Sequence, residues 1–158
     1  MPPIAKVYEA IGAIGDGRVH LEDARRASVT SSDRSKTYAV EFVAGSREVS
    51  SNDNASYWQG YLGYPAIAVM IARGLYQPRA DVIRALSGIP WKELNHRFHN
   101  DYERTIAEVL EQAGEHGFDV QAIRAEAEAL LDAVRAYAPL RGARRPPPRI
   151  NKAKAPRV

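Results

Sequence analysis

Hydrophobic residues recur with helical spacing near the N-terminus of this 158-residue chain and with strand spacing soon after it. A three-to-four-residue period over residues 3–15 predicts a short helix with one apolar face. That face comprises Ile4, Val7, Tyr8, Ile11 and Ile14. Four alternating segments follow, at 18–22, 27–31, 36–43 and 47–50. Their period of two predicts a small antiparallel β-meander, with one face packed on the first helix.

The second half of the chain has helical patterns throughout. Residues 66–74 are apolar on nearly every side, which predicts a central buried helix. Further helices are expected over 79–86, from Pro90 onward with a restart near Asn100, and after Asp119. The pattern therefore predicts an α+β fold: an N-terminal helix, a small antiparallel meander and a helical C-terminal half.

Composition excludes several classes of protein. Hydrophobic residues make up 45% and charged residues 26%, which is typical of a globular domain. The absence of cysteine excludes disulfides, thiolate metal sites and cysteine nucleophiles. No apolar run approaches the roughly 18 residues that a transmembrane helix needs, and the N-terminus lacks the layout of a secretory signal. We therefore expect a cytoplasmic protein without a membrane partner.

Charge is distributed unevenly along the chain. Residues 141–158 carry seven cations and no anion, whereas residues 1–140 carry 15 cations and 19 anions. Four prolines in the same C-terminal segment disfavour a helix and favour an extended conformation. We therefore predict a single domain over 1–140 and an extended basic tail over 141–158. The cations of the tail are Arg141, Arg144, Arg145, Arg149, Lys152, Lys154 and Arg157.

The part of the chain from Gly17 to Gly74 resembles a SWIM-type domain. The resemblance rests on the strand, serine-rich turn and threonine-tyrosine strand of residues 27–40. That family places Cys-x-Cys at the end of a hairpin and Cys-x-His at the start of a helix, where they bind zinc. Here Val49, Ser51, Gly63 and Pro65 occupy the matching positions, and none of them ligates zinc. The resemblance thus implies a zinc-free domain whose metal site is replaced by aromatic packing, with a role in nucleic-acid or protein interaction.

Residues 52–61 combine turn-forming polar residues with aromatic residues. Amide and aromatic side chains can hydrogen-bond to bases or stack on them, so the segment is a candidate recognition loop. The same residues can instead fill the core and satisfy a buried loop. The candidate recognition residues are Asn52, Asp53, Asn54, Tyr57, Trp58 and Gln59.

Two further patterns suggest alternatives. His96, His99 and Glu103 share one face of a predicted helix, an arrangement that can hold zinc, although a solvated polar face has the same pattern. Residues 82–97 have the outline of a helix-turn-helix, in which Lys92, Asn95 and Arg97 would reach a DNA groove. Trp91 and Leu94 of that segment are expected in the core. Neither pattern leads us to assign a catalytic residue, a metal or a cofactor.

The basic tail leads to a functional hypothesis. We expect a non-catalytic RNA- or ribonucleoprotein-associated protein, with the ribosome as one candidate particle, that binds phosphates through residues 141–158. A protein–protein adaptor with an aromatic loop interface is the alternative. DNA and an acidic protein are alternative partners for the basic tail. A helix-turn-helix-like DNA binder is a further alternative.

Overall fold

A computed structural model describes residues 2–142 and 145–148 and shows an α+β fold with a helical C-terminal half. The helices are α1 (Ile4–Gly15), α2 (Tyr64–Ala72), α3 (Ala80–Ala85), α4 (Trp91–Arg97), α5 (Tyr102–Glu115) and α6 (Val120–Tyr137). The strands are β1 (Val19–Leu21), β2 (Arg26–Thr30), β3 (Thr37–Val43), β4 (Glu48–Ser51) and β5 (Leu140–Arg141). A π-helical turn, Ala55–Gln59, lies between β4 and α2.

The five strands form one sheet in the order β1-β2-β3-β4-β5. The first four strands are antiparallel neighbours, as the alternating segments predict. Strand β5, which no sequence pattern predicted, pairs in parallel with β4 through Glu48–Leu140 and Val49–Arg141. The sheet therefore includes the first residue of the predicted tail.

Helix α2 lies at the centre of the fold, as its apolar character predicts. All residues from Pro65 to Ile71 are buried, between the sheet on one side and α1 on the other. The expectation that α1 packs on the sheet is wrong, because α2 rather than α1 forms the main layer over the strands. No helix in the described part of the chain is both long and apolar enough to cross a membrane.

The helix restart that is expected near Asn100 is present, since α4 ends at Arg97 and α5 begins at Tyr102. His99 and Asn100 both have positive φ angles, 52° and 61°, which end α4 sharply. Asp101 caps α5, since its side chain accepts a hydrogen bond from the Arg104 amide. The expectation that Asn100 begins this helix is therefore wrong by one residue. Two consecutive left-handed residues that are not glycine indicate local backbone strain.

Candidate functional site

A cleft of about 1100 Å³ opens between α1, the β2–β3 turn, the π-helical turn and the α4–α5 region. Its lining is rich in tyrosine and in charged side chains of both signs. Four cations and four anions contribute to the described lining, and they are Lys6, Arg18, Lys36, Lys92, Glu9, Asp33, Asp53 and Glu93. The cleft is therefore polar and aromatic but not strongly basic.

Helix packing brings Glu9 and Asn95 together at the floor of the cleft. Gly12 of α1 lies against the indole of Trp91, and a Cβ at this glycine would stand 2.6 Å from Trp91 Nε1. The missing side chain lets α4 approach α1 closely. One helical turn further, Asn95 Nδ2 donates a 2.7 Å hydrogen bond to Glu9 Oε1. Glu9 is only 4% exposed, so the floor contains a buried carboxylate.

Lys6 lies on the other side of this carboxylate. Its ammonium stands 3.1 Å from Glu9 Oε2 and 4.5 Å from the centre of the Tyr102 ring. Burial alone would lower the pKa of Lys6, but the Glu9 carboxylate and the Tyr102 hydroxyl outweigh it and raise the pKa above the usual 10.5. Lys6 therefore remains a cation at neutral pH. Lys6, Glu9 and Asn95 are called the floor triad below.

The floor triad has unused hydrogen-bonding capacity. Asn95 Oδ1 is buried and has no hydrogen-bond partner among the described residues. Glu9 Oε2 is paired with the Lys6 ammonium at 3.1 Å. An unsatisfied buried acceptor costs about 1–3 kcal/mol, so native proteins rarely leave one without a ligand or water. The candidate binding site is the cleft above these residues, whose volume of about 1100 Å³ and aromatic lining can receive a ligand.

Asp53 is a second buried carboxylate, at the rim of the cleft, and nearby residues of the same segment donate hydrogen bonds to it. Its Oδ1 accepts hydrogen bonds from Ser51 Oγ at 2.5 Å and from Ser56 Oγ at 2.8 Å. Its Oδ2 accepts from the Ser56 amide at 3.0 Å. A Cβ at Gly63 would lie 2.0 Å from Oδ2, so only glycine fits there without movement. These contacts fold the loop before α2, and we call Ser51, Asp53, Ser56 and Gly63 the rim knot.

Aromatic rings and a buried arginine form the wall beside β3. The rings of Tyr38 and Tyr64 meet edge to face, with 6.2 Å between centroids. Arg18 stands 5.9 Å from the Tyr64 ring centre and donates to the Thr30 carbonyl at 2.8 Å. Burial raises the pKa of Tyr38 to about 12 and raises that of Tyr64 further. Both tyrosines therefore remain neutral hydrogen-bonding groups at physiological pH.

Asp33 lies in the β2–β3 turn, at the opposite rim of the cleft, and holds this turn together. It accepts hydrogen bonds from Ser31 Oγ, the Ser35 amide and Ser35 Oγ, and it pairs with Lys92 at 3.2 Å. Burial raises the pKa of Asp33 somewhat, but the hydrogen bonds from Ser35, Ser31 and Lys92 hold it well below the usual 3.8. The β2–β3 turn is thereby attached to the start of α4.

The structure divides the predicted recognition loop into structural and exposed residues. Asp53 belongs to the rim knot, and Asn52 Oδ1 accepts a hydrogen bond from the Ala39 amide of β3. Asn54 and Gln59 are exposed and line the cleft, whereas Tyr57 is half-buried. The side chain of Trp58 lies outside the described part of the molecule. Only part of the predicted loop thus faces the cleft.

The basic tail begins against the π-helical turn. Arg141 donates a hydrogen bond from its guanidinium to the Ser56 carbonyl of the π-helical turn, at 2.8 Å. Arg145 forms a 2.8 Å ion pair with Glu41 on β3. Two of the seven predicted phosphate-binding cations therefore have contacts within the protein. The other five, Arg144, Arg149, Lys152, Lys154 and Arg157, lie outside the described residues.

The two helix-based alternatives receive little geometric support. His96 and His99 line the cleft, but the turn at His99 separates them from the helix that carries Glu103. Among residues 2–142 and 145–148, no group of three histidine or acidic side chains is placed to hold a metal ion. In α4, Trp91 and Leu94 are buried as expected, but so is Asn95, which a groove-reading helix would expose.

Lys6 and Glu9 were not recognised from the sequence as site residues. They occupy polar positions on an amphipathic helix, where solvent exposure is the ordinary expectation. They are recognisable only in the tertiary structure, because α4 and Tyr102 cover the polar face of α1 on which they lie.

Comparison with known proteins identifies a family. The sequence profile of the family described as Uncharacterised conserved protein UCP014422 matches residues 1–139. The chain therefore belongs to that family. Searches of curated proteins and of solved structures returned no significant match. The family match carries no SWIM assignment, so the SWIM-type resemblance stays a prediction.

Proposed function

We propose that this member of the UCP014422 family is a non-catalytic RNA- or ribonucleoprotein-associated protein of the cytoplasm. In this proposal the cleft holds an unpaired nucleotide and the basic tail binds neighbouring phosphates. The observation that carries it is the Arg141–Ser56 hydrogen bond, which attaches the tail to the π-helical turn, whose residues Ala55 and Gln59 line the aromatic cleft. A base-binding element and a phosphate-binding element are thereby adjacent.

The aromatic lining supports the binding of a base. Tyr61 and Tyr102 are half-buried, so each ring is partly accessible from the cleft. Stacking of a base on an aromatic side chain contributes about 1–3 kcal/mol and tolerates any base. Exposed Asn54 and Gln59 on the rim add hydrogen-bonding groups beside the rings. Recognition of RNA commonly uses this combination on splayed-out bases.

The charge distribution supports a division of roles between cleft and tail. The balanced charges of the cleft offer little general attraction for a phosphodiester chain. The tail carries cations without anions, and counterion release makes such segments effective for phosphate binding. Arg141 and Arg145 already have partners, so we assign phosphate binding mainly to the other five cations of the tail.

Charge removal in the full chain tests the proposal. A variant with Arg149→Gln, Lys152→Gln, Lys154→Gln and Arg157→Gln leaves the described fold intact. Its affinity for a hairpin RNA with a single-stranded loop is measured across a KCl series. The slope of log K against log salt should fall in magnitude by about 3, because each contacted phosphate contributes about 0.7.

A matched control removes four exposed charges from the body of the protein. The substitutions are Arg25→Gln, Arg84→Gln, Arg104→Gln and Arg124→Gln, all at exposed positions. The control should change the slope by much less than the tail variant. Equal effects of the two variants, or no RNA binding by the wild type at low salt, would contradict the proposal.

The alternatives predict different binding results. A protein–protein adaptor predicts no salt-dependent RNA affinity. A helix-turn-helix protein predicts tighter binding to duplex DNA than to the hairpin RNA. Including a duplex DNA of equal length in the same salt series separates these outcomes.

A further inference from the structure

The start of the basic tail crosses the edge of the sheet. The Gly142 amide donates a 2.8 Å hydrogen bond to the Val49 carbonyl of β4. The chain passes so close to β4 here that a Cβ at Gly142 would stand 3.0 Å from the Cβ of Ser50. Ser50 pairs in register with Glu41 of the next strand, β3. Contacts with the sheet edge therefore lead the tail towards Glu41.

An ion pair joins the tail to β3. The Arg145 guanidinium donates to Glu41 Oε2 at 2.8 Å. The neighbours of Glu41 on the strand, Val40 and Phe42, are buried, so Glu41 points to the opposite face of the sheet. The side chain of Arg145 is 37% exposed and that of Glu41 is 30% exposed. Both groups are therefore within reach of a ligand in solution.

The tail cation pairs with Glu41 although another carboxylate lies on the same face of the sheet. Glu48 is two residues before Ser50 on β4 and is exposed, so its side chain shares the face of Glu41. Among residues 2–142 and 145–148, Glu48 takes part in no ion pair. On the other side of Glu41, Arg26 is opposite it in register but is paired with Asp23 at 2.9 Å. The Arg145–Glu41 contact is thus a specific pairing within a charged surface.

On the basis of the proposed function, we infer that Glu41 is an autoinhibitory residue that competes with RNA for Arg145. Carboxylates and phosphates both accept charge-assisted hydrogen bonds from a guanidinium. When RNA binds, the Arg145–Glu41 contact breaks and an Arg145–phosphate contact forms. The broken ion pair opposes binding, so Glu41 lowers the affinity of the full chain for RNA. Arg145 then becomes a further phosphate-binding cation in the complex.

Removal of the competing charge tests the inference. Glu41→Gln keeps the shape of the side chain, and its affinity for the hairpin RNA is measured by fluorescence anisotropy at one fixed KCl concentration. We expect binding about 3-fold tighter than that of the wild type, the factor that a partly exposed ion pair provides. Circular dichroism and thermal melting check that the variant folds. An affinity equal to that of the wild type would overturn the inference.

Glu48→Gln is the matched control, because it removes the same charge from the same face of the sheet. Its charge is screened and has no described cationic partner, so the affinity should change by less than about 1.5-fold. A gain equal to that of Glu41→Gln would overturn the inference, since general repulsion of RNA would then explain both variants.

Two double variants with the net charge of the wild type assign the gain to Arg145. Glu41→Gln with Arg145→Gln should bind RNA no more tightly than the wild type, because the released cation is missing. Glu41→Gln with Arg84→Gln loses an exposed cation of α3 instead and should keep the gain of about 3-fold. Equal affinities of the two double variants would overturn the inference.

The results also separate the inference from the proposed function. If the wild type binds the hairpin RNA with a steep salt dependence but Glu41→Gln gains nothing, the inference fails and the RNA-binding proposal stands. If the wild type does not bind the hairpin RNA at low salt, the RNA-binding proposal fails and the inference fails with it.

Discussion

Glu9 and Asp53 are two buried carboxylates that line the same cleft but have different surroundings. Asp53 takes all its hydrogen bonds from Ser51 and Ser56, residues of its own loop. Glu9 takes its contacts from another turn of α1 and from α4. A carboxylate satisfied within one loop stabilises that loop, whereas Glu9 and its partners connect two helices along the lining of the cleft. We therefore expect substitutions in the rim knot to change stability, and substitutions in the floor triad to change recognition.

The substitution Gly63→Ala, in the rim knot, should have the largest effect on the free energy of unfolding. The new methyl group would overlap Asp53, whose carboxylate is fixed by three hydrogen bonds and cannot move freely. Overpacking of this kind costs about 3 kcal/mol, measurable by urea unfolding. Gly45→Ala is the matched control, because open space surrounds a Cβ at that position. Similar unfolding free energies for the two variants would show that the rim knot is not rigid.

A smaller effect is expected from Asp53→Asn. An amide at this position cannot accept hydrogen bonds at both of its polar atoms, so at least one donor of the rim knot loses its partner. The loss should be about 2 kcal/mol in the free energy of unfolding. Affinity for the hairpin RNA should stay as in the wild type. An Asp53→Asn protein that unfolds normally but loses RNA affinity would contradict the structural role assigned to Asp53.

The smallest effect is expected from Asp33→Asn at the opposite rim. Asp33 is about half exposed, so its contacts with Ser31, Ser35 and Lys92 should contribute only about 1 kcal/mol at neutral pH. Its pKa is lowered in the folded protein, so this contribution is present above pH 3.8 and is lost as the pH falls further. Unfolding curves of wild type and variant should therefore differ at pH 7 and converge in acid. A difference that persists or grows in acid would contradict the assignment.

Much of the fold follows from local pattern. The period of two identifies the first four strands, the all-round apolar run identifies α2, and Asp119 marks the start of α6. These features depend on residues close together in the chain. Strand β5 has only two residues and depends on pairing with Glu48 and Val49, far away in sequence, so its local pattern is uninformative.

The candidate site was harder to predict because it depends on packing between helices. Asn54 and Gln59 belong to a segment whose unusual composition indicates a recognition loop, and both line the cleft. Glu9 and Asn95 are 86 positions apart, and their contact requires the close approach that Gly12 allows. Neither residue belongs to a motif, so the floor triad emerges only from the tertiary structure.

A nuclear magnetic resonance titration tests most directly whether the cleft is the binding site. The hairpin RNA with a single-stranded loop is added to the ¹⁵N-labelled full chain, and amide shifts are followed. We predict that the Asn95 side-chain amide and the backbone amides of Lys6 and Tyr102 shift together with those of the tail. Shifts confined to residues 141–158, with the Asn95 amide unchanged at saturation, would contradict the claim that the cleft receives a nucleotide.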